Sequence, residues 1–121
     1  LSAGITHCID LRAEFNDGPL FAGRQVAYLW NPTSDDGKHK SPTWFGRSIV
    51  FALDALSHRH HKVYAHCAAG VNRGPSTCFA IMLALGFAPV DAELIIRKAR
   101  PQVGLAYRDD AIAAIPALGY D

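Results

Sequence analysis

The sequence predicts an α/β fold: a twisted, mostly parallel central sheet with helices on both faces. Three observations carry this expectation. Residues 5–11, 25–30 and 62–66 are short runs rich in strand formers, and the first is apolar on both faces, as a strand inside a parallel sheet must be. Segments of helical period, rather than tight hairpin turns, separate or follow these runs. Finally, a chain of 121 residues, 50% of them hydrophobic, can bury about two thirds of its unfolded surface around one core. A single domain over residues 1–121 is therefore expected.

The first strand, residues 5–11, holds Cys8, whose simplest role is core packing. The chain leaves it through a polar segment in which Asn16, Asp17, Gly18 and Pro19 supply turn chemistry. Residues 25–30 form the second strand, ended by Asn31 and Pro32. Residues 33–42 have no hydrophobic period and carry two adjacent acids, Asp35 and Asp36, so they read as a loop able to move. Ser41 and Pro42 suit the N-cap and first position of a helix. Within it Phe45, Ile49, Ala52, Leu53 and Leu56 line one face that should pack on the sheet.

That helix runs into His58, Arg59, His60, His61 and Lys62, the most basic run in the chain. With no acid or cysteine interleaved, it reads as a solvated helix end whose cations complement the dipole, not as a metal site. Residues 62–66 are the third strand. An apolar helix over residues 77–85, stopped by Gly86, reads as central and buried, with Cys78 in its core. Pro89 opens a further helix in which Val90, Leu94 and Ile95 share a face, and Arg97, Lys98 and Arg100 crowd the end before Pro101. A last helix spans residues 108–118, with Ile112 and Ile115 one turn apart and Pro116 expected to bend or fray its end.

Composition narrows the function classes. Twelve Lys and Arg against eleven Asp and Glu leave a net charge of +1, so bulk charge demands neither a nucleic-acid nor a membrane partner. No apolar run approaches the length of a membrane span, and the start lacks a secretory pattern, so a cytoplasmic home is the expectation. The three cysteines cannot all pair within the chain and match no zinc motif. They read as reduced thiols, with no metal and no cofactor implied.

One stretch carries chemistry: His66, Cys67, Ala68, Ala69, Gly70, Val71, Asn72, Arg73, Gly74, Pro75 and Ser76, placed between a strand and an apolar helix. Five small or turn-prone residues separate Cys67 from Arg73, so successive backbone N–H groups can line one anion-binding concavity. Gly74, Pro75 and Ser76 then start a helix, with Pro75 suited to its first position, so the positive end of the dipole faces the same cradle. A thiol there has a depressed pKa. Arg73 adds a planar fork that holds two phosphoryl oxygens, which a lysine could not do.

With Pro32, Thr33, Ser34, Asp35 and Asp36 upstream, this string resembles the cysteine-based protein tyrosine phosphatase superfamily in its compact dual-specificity branch. Residues 4–11 resemble that branch's GITHVINL strand, and Arg100-Pro101 resembles the pair after its penultimate helices. The resemblance implies that the Cys67 thiolate attacks a phosphate monoester to give a cysteinyl-phosphate, which water hydrolyses. Arg73 and the backbone N–H groups of Ala68, Ala69, Gly70, Val71 and Asn72 would hold the phosphoryl oxygens, while His66 orients the loop and favours the thiolate. A loop acid would protonate the leaving oxygen and later deprotonate water. Asp35, three residues after Pro32, is favoured for this role, with Asp36 the alternative.

The resemblance further implies a phosphorylated protein, bearing phosphotyrosine, phosphoserine or phosphothreonine, or a small phosphate monoester as partner. Neutral residues in the cradle argue against phosphoinositides, and an RNA 5′-phosphate stands third. No nucleic acid, no membrane and a monomer are expected. Where the family usually has a serine or threonine after the arginine, this chain has Gly74, which predicts slow breakdown of the phosphoenzyme or, in a different reading, a pseudophosphatase that binds without turnover. Family members usually carry strands before the first one here, so a minimal or trimmed version of the domain is expected.

Overall fold

Three parallel strands, β1 (His7–Arg12), β2 (Ala27–Thr33) and β3 (Val63–His66), form a sheet in the order β2-β1-β3. The structure, a computed structural model, describes residues 5–13, 16, 18–21, 26–58, 60–66 and 72–120. Among the described residues five helices accompany the sheet: α1 (Gly18–Phe21), α2 (Pro42–Leu56), α3 (Arg73–Ala84), α4 (Pro89–Ala99) and α5 (Arg108–Ala117). The α/β class with a parallel sheet is as the sequence predicts.

β1 is central, so it must be covered on both faces, and Cys8, Ile9, Asp10 and Leu11 are all buried. Ile9 and Leu11 join Phe45 and Ile49 of α2, Phe79 of α3 and Ala111 and Ala114 of α5 in one core. The opposite face meets α1, where a Cβ on Gly18 would stand 3.5 Å from the Tyr28 ring. On that face Asp10 is a polar hub: Tyr28 Oη donates to it at 2.7 Å and Arg12 Nε at 3.2 Å. Burial pushes the Asp10 carboxyl up, but the hydrogen bonds from Arg12 and Tyr28 outweigh it and hold the group below its usual range.

Several boundaries differ from the sequence reading. β1 starts at His7 rather than residue 5, and the turn at Gly18 and Pro19 is the short helix α1. β2 continues through Asn31 and Pro32 to Thr33. Proline is tolerated there because β2 lies at the sheet's edge among the described residues and its register with β1 shifts between Asp10 and Arg12. Asn31 turns inward and bolts this strand end to α2, donating from Nδ2 to the Trp44 carbonyl at 2.8 Å and to Ser48 Oγ at 2.9 Å. The Trp44 indole N–H returns a bond to the Asn31 carbonyl at 3.1 Å.

α2 starts as expected, with Ser41 accepting from the Trp44 N–H and Pro42 in the first turn. Phe45, Ile49 and Ala52 are fully buried, but Leu56 is exposed at the end of the stripe. The basic run lies beyond the helix, not in its last turn. Its described residues are solvated as expected, with His58, His60 and Lys62 exposed and His61 half-buried, and the rings of His7, His61 and His58 follow one another with centroids 5.1 Å apart at each step. α3 begins at Arg73, which places Pro75 third in the helix instead of first. No bond is lost, since N–H groups of a first helical turn have no intrahelical acceptor. Cys78 is half-buried rather than core.

In α4 the face shared by Val90, Leu94 and Ile95 is turned to solvent, and Ala92 is the buried residue. Ala92 in the core and Ile96 packed against it attach the helix, and polar bonds add to this: Glu93 accepts from Arg108 Nε of α5 and, within α4, from Arg97 Nε, each at 2.7 Å. Arg97 Nη1 also donates to the Val103 carbonyl at 2.8 Å. Pro116 falls in the last turn of α5.

Candidate active site

The carboxyl ends of parallel strands are where open α/β sheets bind ligands. Here those ends are Arg12, Thr33 and His66. His66 ends β3 with its backbone opposite Asp10 of β1. Cys67, Ala68, Ala69, Gly70 and Val71, which follow directly, lie outside the described residues. Description resumes with Asn72 and Arg73, which open α3 on the far side of the cradle.

Arg73 is buried, and its Nη1 donates to the Thr33 carbonyl at 2.8 Å. The arginine of the cradle is thereby tied to the residue where β2 passes into the acidic loop. Asn72 stands in the N-cap position of α3, yet its side chain makes no cap bond. It points across to the loop, with Nδ2 3.5 Å from each oxygen of the Asp35 carboxylate. Its Oδ1 accepts from the Ala106 N–H at 3.3 Å. Asp35 and Asn72 are thus brought together across 37 positions of sequence.

The two acids have different surroundings. Asp36 closes its own turn, accepting from the Lys38 N–H and from Lys40 Nζ, both at 3.0 Å. The Lys38 N–H and the Lys40 ammonium hold its carboxyl below the usual range. Asp35 instead faces the cradle side and accepts from Tyr107 Oη at 2.7 Å. That phenol in turn accepts the Gly37 N–H at 3.0 Å. Burial raises the Tyr107 phenol above its usual value, as does the Asp35 carboxylate, while the Gly37 bond works the other way.

The loop is fastened more thoroughly than its polar composition suggests. Lys40, buried in spite of its charge, donates to the Ser34 carbonyl at 2.7 Å and lies 4.9 Å from the centre of the Tyr107 ring. Asp110 accepts from the Lys40 N–H at 2.9 Å and pairs with His39 Nδ1 at 2.8 Å. Lys40 and His39 therefore fasten the loop to itself and to α5.

Gly74 is buried in the first turn of α3. Ser76 Oγ and Thr77 Oγ1, the next hydroxyls along, are buried and make no hydrogen bond among the described residues. Tyr107 and the side-chain role of Asn72 were not identifiable from motif spacing. One signal for Tyr107 exists in retrospect: it occupies the N-cap position of α5, where an aromatic caps poorly, and it makes no cap bond there.

No protein-family model matches the chain. In sequence it is 28% identical over 100 residues, or 83% of its length, to human dual specificity protein phosphatase 1, of which that stretch is 26%. The chain therefore spans about a quarter of the length of the curated relatives it matches. In three dimensions it is similar to human DUSP28, with a TM-score of 0.79 and 21% identity over 97% of this chain and 81% of that one. It is also similar to PTPMT1, solved in complex with PI(5)P, with a TM-score of 0.76 and 17% identity over 94% of this chain and 81% of that one. The chain thus has the fold of the cysteine-based protein tyrosine phosphatases and resembles, in sequence and in fold, their compact dual-specificity branch.

Proposed function

We propose that the chain is a phosphatase that hydrolyses phosphate monoesters through a cysteinyl-phosphate on Cys67, with phosphorylated protein side chains as the main substrate class. The observation that carries this reading is the meeting of Asp35 with Asn72, beside Arg73, at the sheet edge where β3 runs into Cys67. Asp35 meets Asn72, and Arg73 meets Thr33, across segments distant in sequence, which supports reading Asp35 as the acid and Arg73 as the anion-binding group of one site.

In the first step the Cys67 sulfur bonds to phosphorus as the bond from phosphorus to the leaving oxygen breaks, and Asp35 gives that oxygen its proton. Arg73 and the N–H groups of residues 68–73 stabilise the equatorial oxygens. In the second step Asp35, now a carboxylate, takes a proton from water, whose oxygen displaces the sulfur and releases phosphate. His66 favours the thiolate. Asp36 is ill suited to the acid role because its partners Lys38 and Lys40 stabilise its ionised form. The scheme calls on no metal or cofactor. Among the described residues no helix is long and apolar enough to cross a membrane, and the proposal takes the enzyme as a cytoplasmic monomer.

Gly74 favours a second reading, a module that captures phosphorylated partners without turnover. The fold alone does not choose between protein and lipid phosphates, since PTPMT1 shares it and was solved with PI(5)P. The neutral cradle residues Ala68, Ala69, Val71 and Asn72 support a substrate of lower charge.

Release of para-nitrophenol from its phosphate ester, compared between the native chain and Cys67→Ser, tests the proposal. Turnover in the native chain and none in the variant is expected. No turnover in either, with phosphopeptide binding retained, supports the capture module; turnover persisting in Cys67→Ser overturns both readings.

A further inference from the structure

We propose that Tyr107 is a positioning residue for the general acid: its hydroxyl donates to Asp35 Oδ1 and thereby assigns the transferable proton to Oδ2. This rests on the reading of Asp35 as the acid.

A phenol has one proton to donate. Tyr107 Oη already accepts the Gly37 N–H at 3.0 Å, and its own proton has Asp35 Oδ1 as acceptor at 2.7 Å. In the protonated carboxyl, the oxygen that accepts is the carbonyl one, so Oδ1 is occupied and Oδ2 carries the hydrogen. During the first step the O–H bond at Oδ2 breaks and the leaving oxygen takes the proton. During the second, Oδ2 recovers a proton from water, and Tyr107 keeps its own throughout.

The backbone that delivers Tyr107 is strained for this purpose. Leu105 is held at a φ of 49°, in the left-handed region that L side chains rarely adopt. Such strain clusters where geometry matters. The residues after it supply both ties to the site, the Ala106 N–H to Asn72 and the Tyr107 hydroxyl to Asp35. Tyr107 is also 1% exposed, so its ring is fixed by packing and its hydroxyl is aimed. The charged groups around the pair are Lys40 over the Tyr107 ring, Asp36 and Asp110 bound to Lys40, and Arg73 on the Thr33 carbonyl. Asn72 completes the cage from the cradle side.

The test is the dependence of kcat/KM on leaving group, from para-nitrophenyl phosphate to phenyl phosphate, in the native chain, Asp35→Ala, Tyr107→Phe and the double variant. A poor leaving group needs the proton and a good one does not. Loss of one oriented hydrogen bond predicts that Tyr107→Phe falls about tenfold on phenyl phosphate, with little change on para-nitrophenyl phosphate. The double variant should be no slower than Asp35→Ala. Equal losses on both substrates, or additive losses in the double variant, overturn the proposal. If Asp35→Ala itself leaves the dependence flat, the acid assignment fails and the role of Tyr107 fails with it.

Should Tyr107→Phe not fold, 3-fluorotyrosine incorporated at position 107 keeps the ring and the hydroxyl while making a stronger donor. A stronger donor on Oδ1 alters proton delivery from Oδ2, so kcat/KM on phenyl phosphate must change while that on para-nitrophenyl phosphate does not. An unchanged ratio of the two overturns the proposal.

Discussion

Arg73 Nη1 donates to the Thr33 carbonyl at 2.8 Å, which makes the cradle arginine and the strand end that launches the acidic loop one mechanical unit. Arg73→Lys keeps the charge but loses the planar fork and this tie. Its kcat/KM on para-nitrophenyl phosphate is expected to fall on the order of 10²–10³-fold, the scale of losing a preorganised oxyanion donor. Steady-state kinetics beside a thermal melt checks this. A loss below tenfold in a folded variant would show that charge alone suffices.

In the proposed mechanism Gly74 would leave the departing thiolate without the hydroxyl that the resemblance leads one to expect. Gly74→Ser should leave the rapid burst unchanged and raise the steady-state rate about tenfold, the worth of one added hydrogen bond to a charged sulfur. Ser76 and Thr77 have hydroxyls within the same helix start, and both are buried without hydrogen bonds among the described residues. Stopped-flow release of para-nitrophenol separates the two phases. A steady state no faster than the native rate would sink the assignment of the slow step to Gly74.

Asp10, fully buried, receives Tyr28 Oη, Arg12 Nε and the Arg12 N–H. Asp10→Asn removes the charge that these donors solvate and turns one oxygen into a donor facing donors. A loss of about 2–4 kcal/mol is expected. Urea denaturation should show a lower midpoint with an unchanged slope. Because Asp10 lies opposite His66 in register, the same variant reports whether the sheet beneath the cradle transmits that damage to catalysis.

Stability should fall in two stages as pH is lowered. Burial, with His61 and His58 nearby, holds the His7 pKa below its ordinary 6.5, against the opposing pull of Asp54. The unfolded chain then binds more protons, so the His7 contribution is complete above 6.5 and is lost as pH falls toward the folded value. Asp10 and Asp110 are held below their ordinary 3.8. Their contributions are present above that value and disappear as pH falls through the folded pKa. Urea midpoints from pH 8 to 3 should show both declines, and His7→Gln should remove the first. A midpoint that rises between pH 7 and 6 contradicts the sign.

The sheet and main helices were legible because their signals are local. An apolar run flanked by turn residues marked β1, and Ser41-Pro42 before a continuous stripe marked α2. Asn31 and Pro32 misled because a proline usually stops a strand, whereas an edge position with a register shift accommodates it. Val90, Leu94 and Ile95 misled in another way: their spacing defines a face but not the direction it looks. In the candidate site, the pattern from Cys67 to Arg73 and, through the resemblance, the spacing of Asp35 from Pro32 are what made the proposal readable from sequence. Tyr107 did not stand out, because its tie to Asp35 joins residues 72 positions apart and depends on a left-handed Leu105 that no sequence pattern announces.

The central claim is a covalent phosphocysteine. Rapid-quench mass spectrometry of the chain mixed with para-nitrophenyl phosphate tests it most directly. The account predicts phosphate on the peptide carrying Cys67 within the burst, building up further because Gly74 slows its breakdown, and absent in Cys67→Ser. Full para-nitrophenol release with no phosphate on Cys67 at any time would contradict it.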